Sequence, residues 1–182
     1  MTTRKLHAGP QRPSLRAQAL KLLLRLMRRK KIWASVVGME EGIRQVRQEG
    51  PARPGPSVLR HAELRTESIA GCEVYTLVPR DGASAQTLLY LHGGGYIRPI
   101  TKYHWDFVAW LVQARRATVV VPLYPLAPES TCQATVQVVR SVHDLAARRY
   151  GRFDAFIGDS AGAGLCLALC QYLQQAALEL PR

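Results

Sequence analysis

The chain is short of acidic residues. It carries 13 Asp and Glu against 25 Lys and Arg, a net charge of +12 over 182 residues. The deficit is local. Residues 1–60 hold 14 Lys/Arg and 3 Asp/Glu, a balance of +11, whereas residues 61–182 hold 11 and 10, a balance of +1. The basicity therefore belongs to an N-terminal segment. No recognised nucleic-acid module accompanies it, so a nucleic-acid partner is not expected. Long hydrophobic runs are also missing. No stretch approaches the roughly 18 uncharged apolar residues of a membrane span. The run Leu20–Met27 is broken by Lys21 and Arg25 and leads to no small-residue cleavage site, which argues against a secretory signal. Cysteine is scarce: Cys72, Cys132, Cys166 and Cys170. Their spacing fits neither a zinc site nor a disulfide scaffold. They read as reduced thiols, and Cys166 and Cys170, four apart in an apolar helical run, read as small core hydrophobes. Reduced thiols point to the cytoplasm.

What is present suits a folded chain with a sizeable core: 47% of residues are hydrophobic. Residues 1–56 form a basic N-terminal segment. Leu15, Ala19, Leu22, Leu23 and Leu26 recur at helical spacing behind Ser14, a capping residue. A second helix is predicted over Ile32–Gln48, and the Gly50–Pro56 stretch, with three prolines, reads as a linker. From residue 57 to 182 the pattern changes. Leu64–Ser68 and Glu73–Val78 read as a hairpin around Ala70-Gly71. Thr87–Leu91, Thr118–Val121 and Phe153–Ile157 read as short strands. Trp105–Ala114, Val136–Arg149 and Ala161–Leu178 read as helices, the second stopping at Gly151. Strands that alternate with helices imply an α/β fold with a mostly parallel sheet and flanking helices.

Two motifs carry chemistry. Gly158-Asp159-Ser160-Ala161-Gly162 lies between a predicted strand and the helix that follows at once. A turn that sharp strains the backbone at Ser160, and small residues on either side let neighbouring segments approach. The serine hydroxyl then stands at the carboxyl end of a strand, beside a helix N-terminus whose free N–H groups suit a developing oxyanion. Alone, the pattern also fits an ordinary strand–helix turn with an incidental serine. Asp159 reads as a carboxylate that stabilises the turn, because sequence neighbours on a tight turn point apart. The second motif, His92-Gly93-Gly94-Gly95-Tyr96, follows Thr87–Leu91. Three glycines leave backbone N–H groups unshielded, able to aim two donors at one oxygen. Alone, it also fits a flexible turn. His92 reads as a structural hydrogen-bonding residue. Each motif follows a predicted strand, and their order suits one fold.

With Tyr124-Pro125-Leu126-Ala127-Pro128-Glu129, these residues resemble the hormone-sensitive-lipase-like esterases and lipases of the α/β-hydrolase fold. The resemblance covers about residues 60–182. It implies an α/β-hydrolase core with Ser160 as nucleophile. The N–H groups of Gly94, Gly95 and Ala161 would form the oxyanion hole, with His92 and Gly93 supporting the loop. It implies N-terminal helices that act as a cap, no metal and no cofactor. The implied activity is carboxylic-ester hydrolysis on a small ester or short acyl lipid. The chain departs from the family in two respects: a small one is Ala163, where many members have a further Gly after Gly162, and the other concerns the triad. The family's triad runs serine, then acid, then histidine, but His7, His61, His92, His104 and His143 all precede Ser160, and Glu179 is the sole carboxylate residue after it. The triad acid and base are therefore expected to be missing from this chain. The core is expected to be incomplete, with the Phe153–Ile157 strand left as an aggregation-prone edge and the fragment inactive. Other readings stay open: a non-catalytic ligand-binding protein on this fold, or a membrane-surface protein using the basic helix at residues 15–31. Homo-oligomers are left open. Trp105, Trp110 and Tyr96 read as core or scaffold rather than as pocket lining.

Overall fold

A computed structural model describes residues 13–26, 35–82 and 86–182. The start of the expected second helix, residues 32–34, and the end of the basic stretch, residues 27–31, lie outside the described residues. The chain divides into two compact units, with the boundary between Arg44 and Gln45. The expected boundary lay in the Gly50–Pro56 segment. That segment is instead tied into the second unit: Ala52 N–H donates to Ile100 O, and the Trp105 indole N–H donates to Ala52 O.

In the first unit, helix α1 (Leu15–Leu26) begins behind Ser14, whose hydroxyl accepts the Ala17 N–H. Helix α2 (Val36–Glu49) is capped in the same way by Ser35, which accepts from Gly38. It continues past the unit boundary and ends at Gly50, whose φ of +70° suits a residue without Cβ.

The second unit is built on five strands. Strand β1 (Ala62–Ile69) and strand β2 (Cys72–Pro79) form a hairpin with Ile69 opposite Cys72, so the connection is the two residues Ala70-Gly71. Both take left-handed φ, +51° and +75°, as a two-residue turn that matches strand twist requires. Strands β3 (Thr87–Leu91), β4 (Thr118–Pro122) and β5 (Ala155–Gly158) complete the order β1-β2-β4-β3-β5. The sheet is mixed. The hairpin joins β4 antiparallel, and β4, β3 and β5 are mutually parallel. A four-residue helix α3 (Pro56–Leu59), unforeseen in the sequence, leads into β1. Helices α4 (Lys102–Arg115) and α5 (Cys132–Tyr150) are the crossovers, and α6 (Ala161–Gln175) follows β5.

Strand periodicity sorts the core into two layers. Tyr75, Leu77, Leu88, Tyr90, Val119 and Val121 face α4, where Trp105, Val108 and Val112 meet them. Val74, Leu89, Leu91 and Val120 face the opposite way, onto Val139, Val142 and Ala146 of α5 and Leu165, Leu169 and Leu173 of α6. β3 and β4 are buried at every position. β5 is half-buried throughout and, with β1 at the other end, is an edge strand among the described residues. The cysteines divide differently from expectation. Cys72 and Cys166 are buried, but Cys170 is half-exposed and Cys132 is exposed at the start of α5. No described helix is long and apolar enough to cross a membrane.

Candidate active site

The end of β3 and the start of α6 meet with almost no space between them. A Cβ built on Gly162 would lie 1.8 Å from Leu91 O and 2.8 Å from His92 O. One on Gly158 would lie 2.4 Å from the Gly162 carbonyl carbon. One on Gly93 would lie 2.0 Å from the Asp159 carboxylate. Only hydrogen fits at these three positions. The close approach seats the glycine loop after β3 directly against the β5–α6 turn.

Ser160 occupies that turn as the N-cap of α6, with φ +50° and ψ −115°. This is a left-handed φ on a residue with a side chain, which costs on the order of 1–3 kcal/mol and persists only when its surroundings enforce it. The turn is closed by Gly162 N–H donating to Asp159 O at 2.9 Å. Ser160 is exposed, and its hydroxyl has no hydrogen-bond partner among the described residues. The N–H groups of Gly94, Gly95 and Ala161 likewise make no hydrogen bond among the described residues. Gly94 (φ +127°) and Gly95 (φ +62°) both take left-handed φ. A turn follows, in which Gly94 O accepts from Ile97 N–H at 3.2 Å and Arg98 N–H at 2.9 Å.

Asp159 does more than stabilise its own turn. Its Oδ1 accepts from Gly93 N–H at 3.0 Å and from the Tyr90 hydroxyl at 2.8 Å. Its Oδ2 lies 3.5 Å from His104 Nε2. His104 Nδ1 accepts the Thr101 N–H at 2.9 Å in a capping box at the start of α4, which leaves the ring proton on Nε2, facing Asp159. One carboxylate thus ties the β5–α6 turn to β3, to the glycine loop and to α4. The fully buried Tyr90 is pushed above the ordinary phenol range by burial, with the bond to Asp159 adding to the shift. It stays a proton donor.

His92 is buried, stacked on Tyr124 with ring centroids 4.4 Å apart. Its Nδ1–H donates to Gly93 O at 2.7 Å, and the Tyr124 hydroxyl donates to His92 O. Burial lowers its pKa to about 4, so the ring is neutral near pH 7 and holds the loop backbone. Tyr124 comes from the 124–129 segment, which packs behind the loop: Ala127 N–H donates to Tyr96 O at 2.8 Å. Of the aromatic residues considered, Trp105 is core and Trp110 lies exposed against Phe107. Tyr96 reaches the site, where its hydroxyl stands 2.5 Å from the position of a Cβ on Gly164.

The sequence reading did not find Tyr90, His104, Arg47 or the reach of Asp159. A tyrosine near the end of the strand, two residues before His92, was the available signal for Tyr90. Nothing local marks the others. His143, on α5, pairs with its neighbour Asp144 at 2.9 Å and packs against Phe153 and Phe156.

A sheet of order β1-β2-β4-β3-β5, with a strained serine between the last of these strands and the next helix, defines the α/β-hydrolase class. Residues 88–182 match the family profile of the alpha/beta hydrolase fold. The chain belongs to that family. It is 33% identical over 116 residues to LipR of Mycobacterium tuberculosis, a candidate acetyl-hydrolase, covering 63% of this chain and 38% of that protein. It is 36% identical over 99 residues to an acetyl-hydrolase of Streptomyces hygroscopicus, covering 53% of this chain and 33% of that protein. The crystal structure of an esterase/lipase from an uncultured bacterium superposes with a TM-score of 0.69 at 24% identity, over 96% of this chain and 56% of that one. The chain thus spans well under half the length of the curated relatives it matches.

Proposed function

We propose that this chain supplies the nucleophile and the oxyanion donors of a serine carboxylic-ester hydrolase. Ser160 is the nucleophile, and Gly94, Gly95 and Ala161 are the donors. The observation that carries this reading is the coincidence of an enforced left-handed φ at an exposed, unbonded Ser160 with three unbonded N–H groups beside it. In the reaction, Ser160 Oγ forms a bond to the ester carbonyl carbon. The carbonyl oxygen takes the electron pair and is received by the N–H groups. The alcohol then leaves as its C–O bond breaks, and water releases the acid from Ser160. His92 and Gly93 hold the loop. The acetyl-hydrolase relatives favour a short acyl group.

The Ser160 proton needs an acceptor, and no described histidine hydrogen-bonds its hydroxyl. Turnover by these residues alone is therefore slow, on the order of 10⁴-fold below a triad enzyme. The test is hydrolysis of p-nitrophenyl acetate by the 182-residue chain and by Ser160→Ala. A slow rate that disappears in Ser160→Ala is expected. Equal rates in the two proteins would overturn the assignment of Ser160. A fast Ser160-dependent rate would overturn the claim that no base is engaged.

A second reading concerns residues 15–31. Leu15, Leu20, Leu22 and Leu23 of α1 are all exposed, as are Arg16 and Lys21. An apolar helix face flanked by cations suits an anionic lipid surface. Deleting residues 1–35 should then abolish salt-sensitive binding to phosphatidylserine vesicles. Unchanged binding would assign the helix to some other role.

A further inference from the structure

Arg47, in the last turn of α2 and within the second unit, makes four hydrogen bonds through one guanidinium. Nε and Nη2 grip the Glu129 carboxylate at 2.9 and 2.8 Å. Nη1 donates to Ile97 O at 2.7 Å, and Nη2 donates to Ala127 O at 2.8 Å. The two carbonyls belong to different loops. Ile97 lies in the turn whose N–H groups close onto Gly94 O, and Ala127 lies in the 124–129 segment that bonds back to Tyr96 O. The side chain of Arg47 is 28% exposed. With Glu129, His92, Tyr124 and Leu126 it lines a cavity of about 490 Å³. Glu129 is held below the usual carboxylate range, first of all by its hydrogen bonds from Arg47.

We infer that Arg47 is a positioning residue for the oxyanion loop: its planar fork fixes the Ile97 and Ala127 carbonyls together and so sets where the Gly94 and Gly95 N–H groups point. The inference rests on the proposed role of those two glycines as donors. The geometry requires a guanidinium. A lysine is a single point of charge and cannot serve two loop carbonyls and both carboxylate oxygens at once. Glu129 takes two of the N–H bonds and holds the fork in the plane that meets both carbonyls. Ile97 and Ala127 are half-buried and outside the core, so without Arg47 the loop loses its fixed geometry rather than its fold. A loop displaced in this way keeps its N–H groups but misaims them, so the loss falls on the transition state and not on the bound ester.

The test compares Arg47→Met, Arg47→Lys and Glu129→Gln with the unsubstituted chain by two measurements. The first is amide hydrogen exchange. Arg47→Met should speed exchange at Ile97, Arg98 and Ala127 by about tenfold or more while leaving Leu89 and Val120 unchanged. Arg47→Lys should recover only part of the protection, and Glu129→Gln should lie between. Unchanged exchange at the three loop amides would overturn the inference. The second is Ser160-dependent hydrolysis of p-nitrophenyl acetate. Arg47→Met should lower kcat by about tenfold at constant KM, a fraction of the 10²–10³ lost with a whole donor. A change confined to KM would overturn a positioning role. If the unsubstituted chain shows no Ser160-dependent turnover, the catalytic reading fails on that ground alone, and exchange still decides whether Arg47 fixes the loop. Should Arg47→Met not fold, Arg47→Lys and Glu129→Gln carry both measurements.

Discussion

Replacing Gly162 with alanine should damage this protein far more than the same change at Gly164, two residues further along α6. The Gly162 Cβ would lie 1.8 Å from Leu91 O and 2.6 Å from its carbonyl carbon. Ordinary contact begins near 3.4 Å, so the strand end and the helix must separate by about 1.5 Å. Both sides of the clash are backbone, and no rotamer can absorb it. Overpacking a core costs roughly 1–3 kcal/mol, and more where nothing can move. We expect a loss of about 3 kcal/mol or more, equal to a fall in Tm of roughly 6–12 °C for a chain of this size. At Gly164 the nearest atom is the Tyr96 hydroxyl at 2.5 Å, the far end of a half-exposed side chain that can swing away. There the helix preference for alanine over glycine, about 1 kcal/mol, offsets most of the cost. The assay is thermal unfolding of both variants, with Ser160-dependent hydrolysis measured alongside. Gly162→Ala should also lose activity beyond its loss of folded protein, because it pushes Ser160 away from the glycine loop. Similar Tm values for the two variants would refute the argument that backbone contact at Gly162 holds the β5–α6 turn in place.

Other consequences can be checked separately. The buried neutral His92 has a folded pKa of about 4 against 6.5 for the free side chain. Stability should therefore be lost as pH falls from 6.5 towards 4, by roughly 2–4 kcal/mol from this group, since the unfolded chain binds the proton first. Urea unfolding across that range should show the slope, and His92→Asn should flatten it; an unchanged slope would contradict the assignment. Asp159→Ala should cost about 1–2 kcal/mol and speed exchange of the Gly93 amide, because Oδ1 accepts both Gly93 N–H and the Tyr90 hydroxyl. A Gly93 amide still protected in that variant would count against the link. Burial pushes the Cys72 thiol up to about 12 and Cys166 to about 11. Ellman's reagent at pH 8 should therefore modify exposed Cys132 first and reach Cys72 and Cys166 only on unfolding. Fast modification of Cys72 in the native protein would show that the hairpin end opens.

Much of this was legible in the sequence, for local reasons. The hairpin register follows from alternating residues around Ala70-Gly71. The three short apolar runs are strands because β-branched and apolar residues fill both sheet faces. Gly151 does end α5, with its N–H on Ala147 O. The start of α5 was missed by four residues: the Thr131 hydroxyl accepts the Ala134 N–H, so Cys132 to Thr135 form a first turn ahead of the apolar-periodic residues that begin at Val136. The placement of residues 45–56 was missed because proline and glycine signal an irregular backbone, not an unattached one. At the candidate site, the serine and the glycines could be read because their chemistry demands particular residues in a row. Arg47 and His104 act across distances in the chain of tens of residues, and an arginine or histidine in a helix carries no mark of the carbonyl or carboxylate it meets. The reach of Asp159 beyond its own turn was missed for the same reason: its neighbour in sequence is Ser160, but its partners are Gly93 and Tyr90.

Asp159 ties the serine turn to the glycine loop. Bonded to Gly93, to Tyr90 on β3 and beside His104 on α4, it limits how far the Ser160 turn and the loop can drift relative to each other. Under the proposed reading, the geometry of attack depends on the few contacts that hold this region, Asp159 from the turn and Arg47 from the loop side. Changes on surfaces that touch neither would then alter how often an ester arrives and departs, while the intrinsic rate at Ser160 stayed constant. Adaptation to a new substrate would proceed by altering access, with the reacting core carried along unmodified.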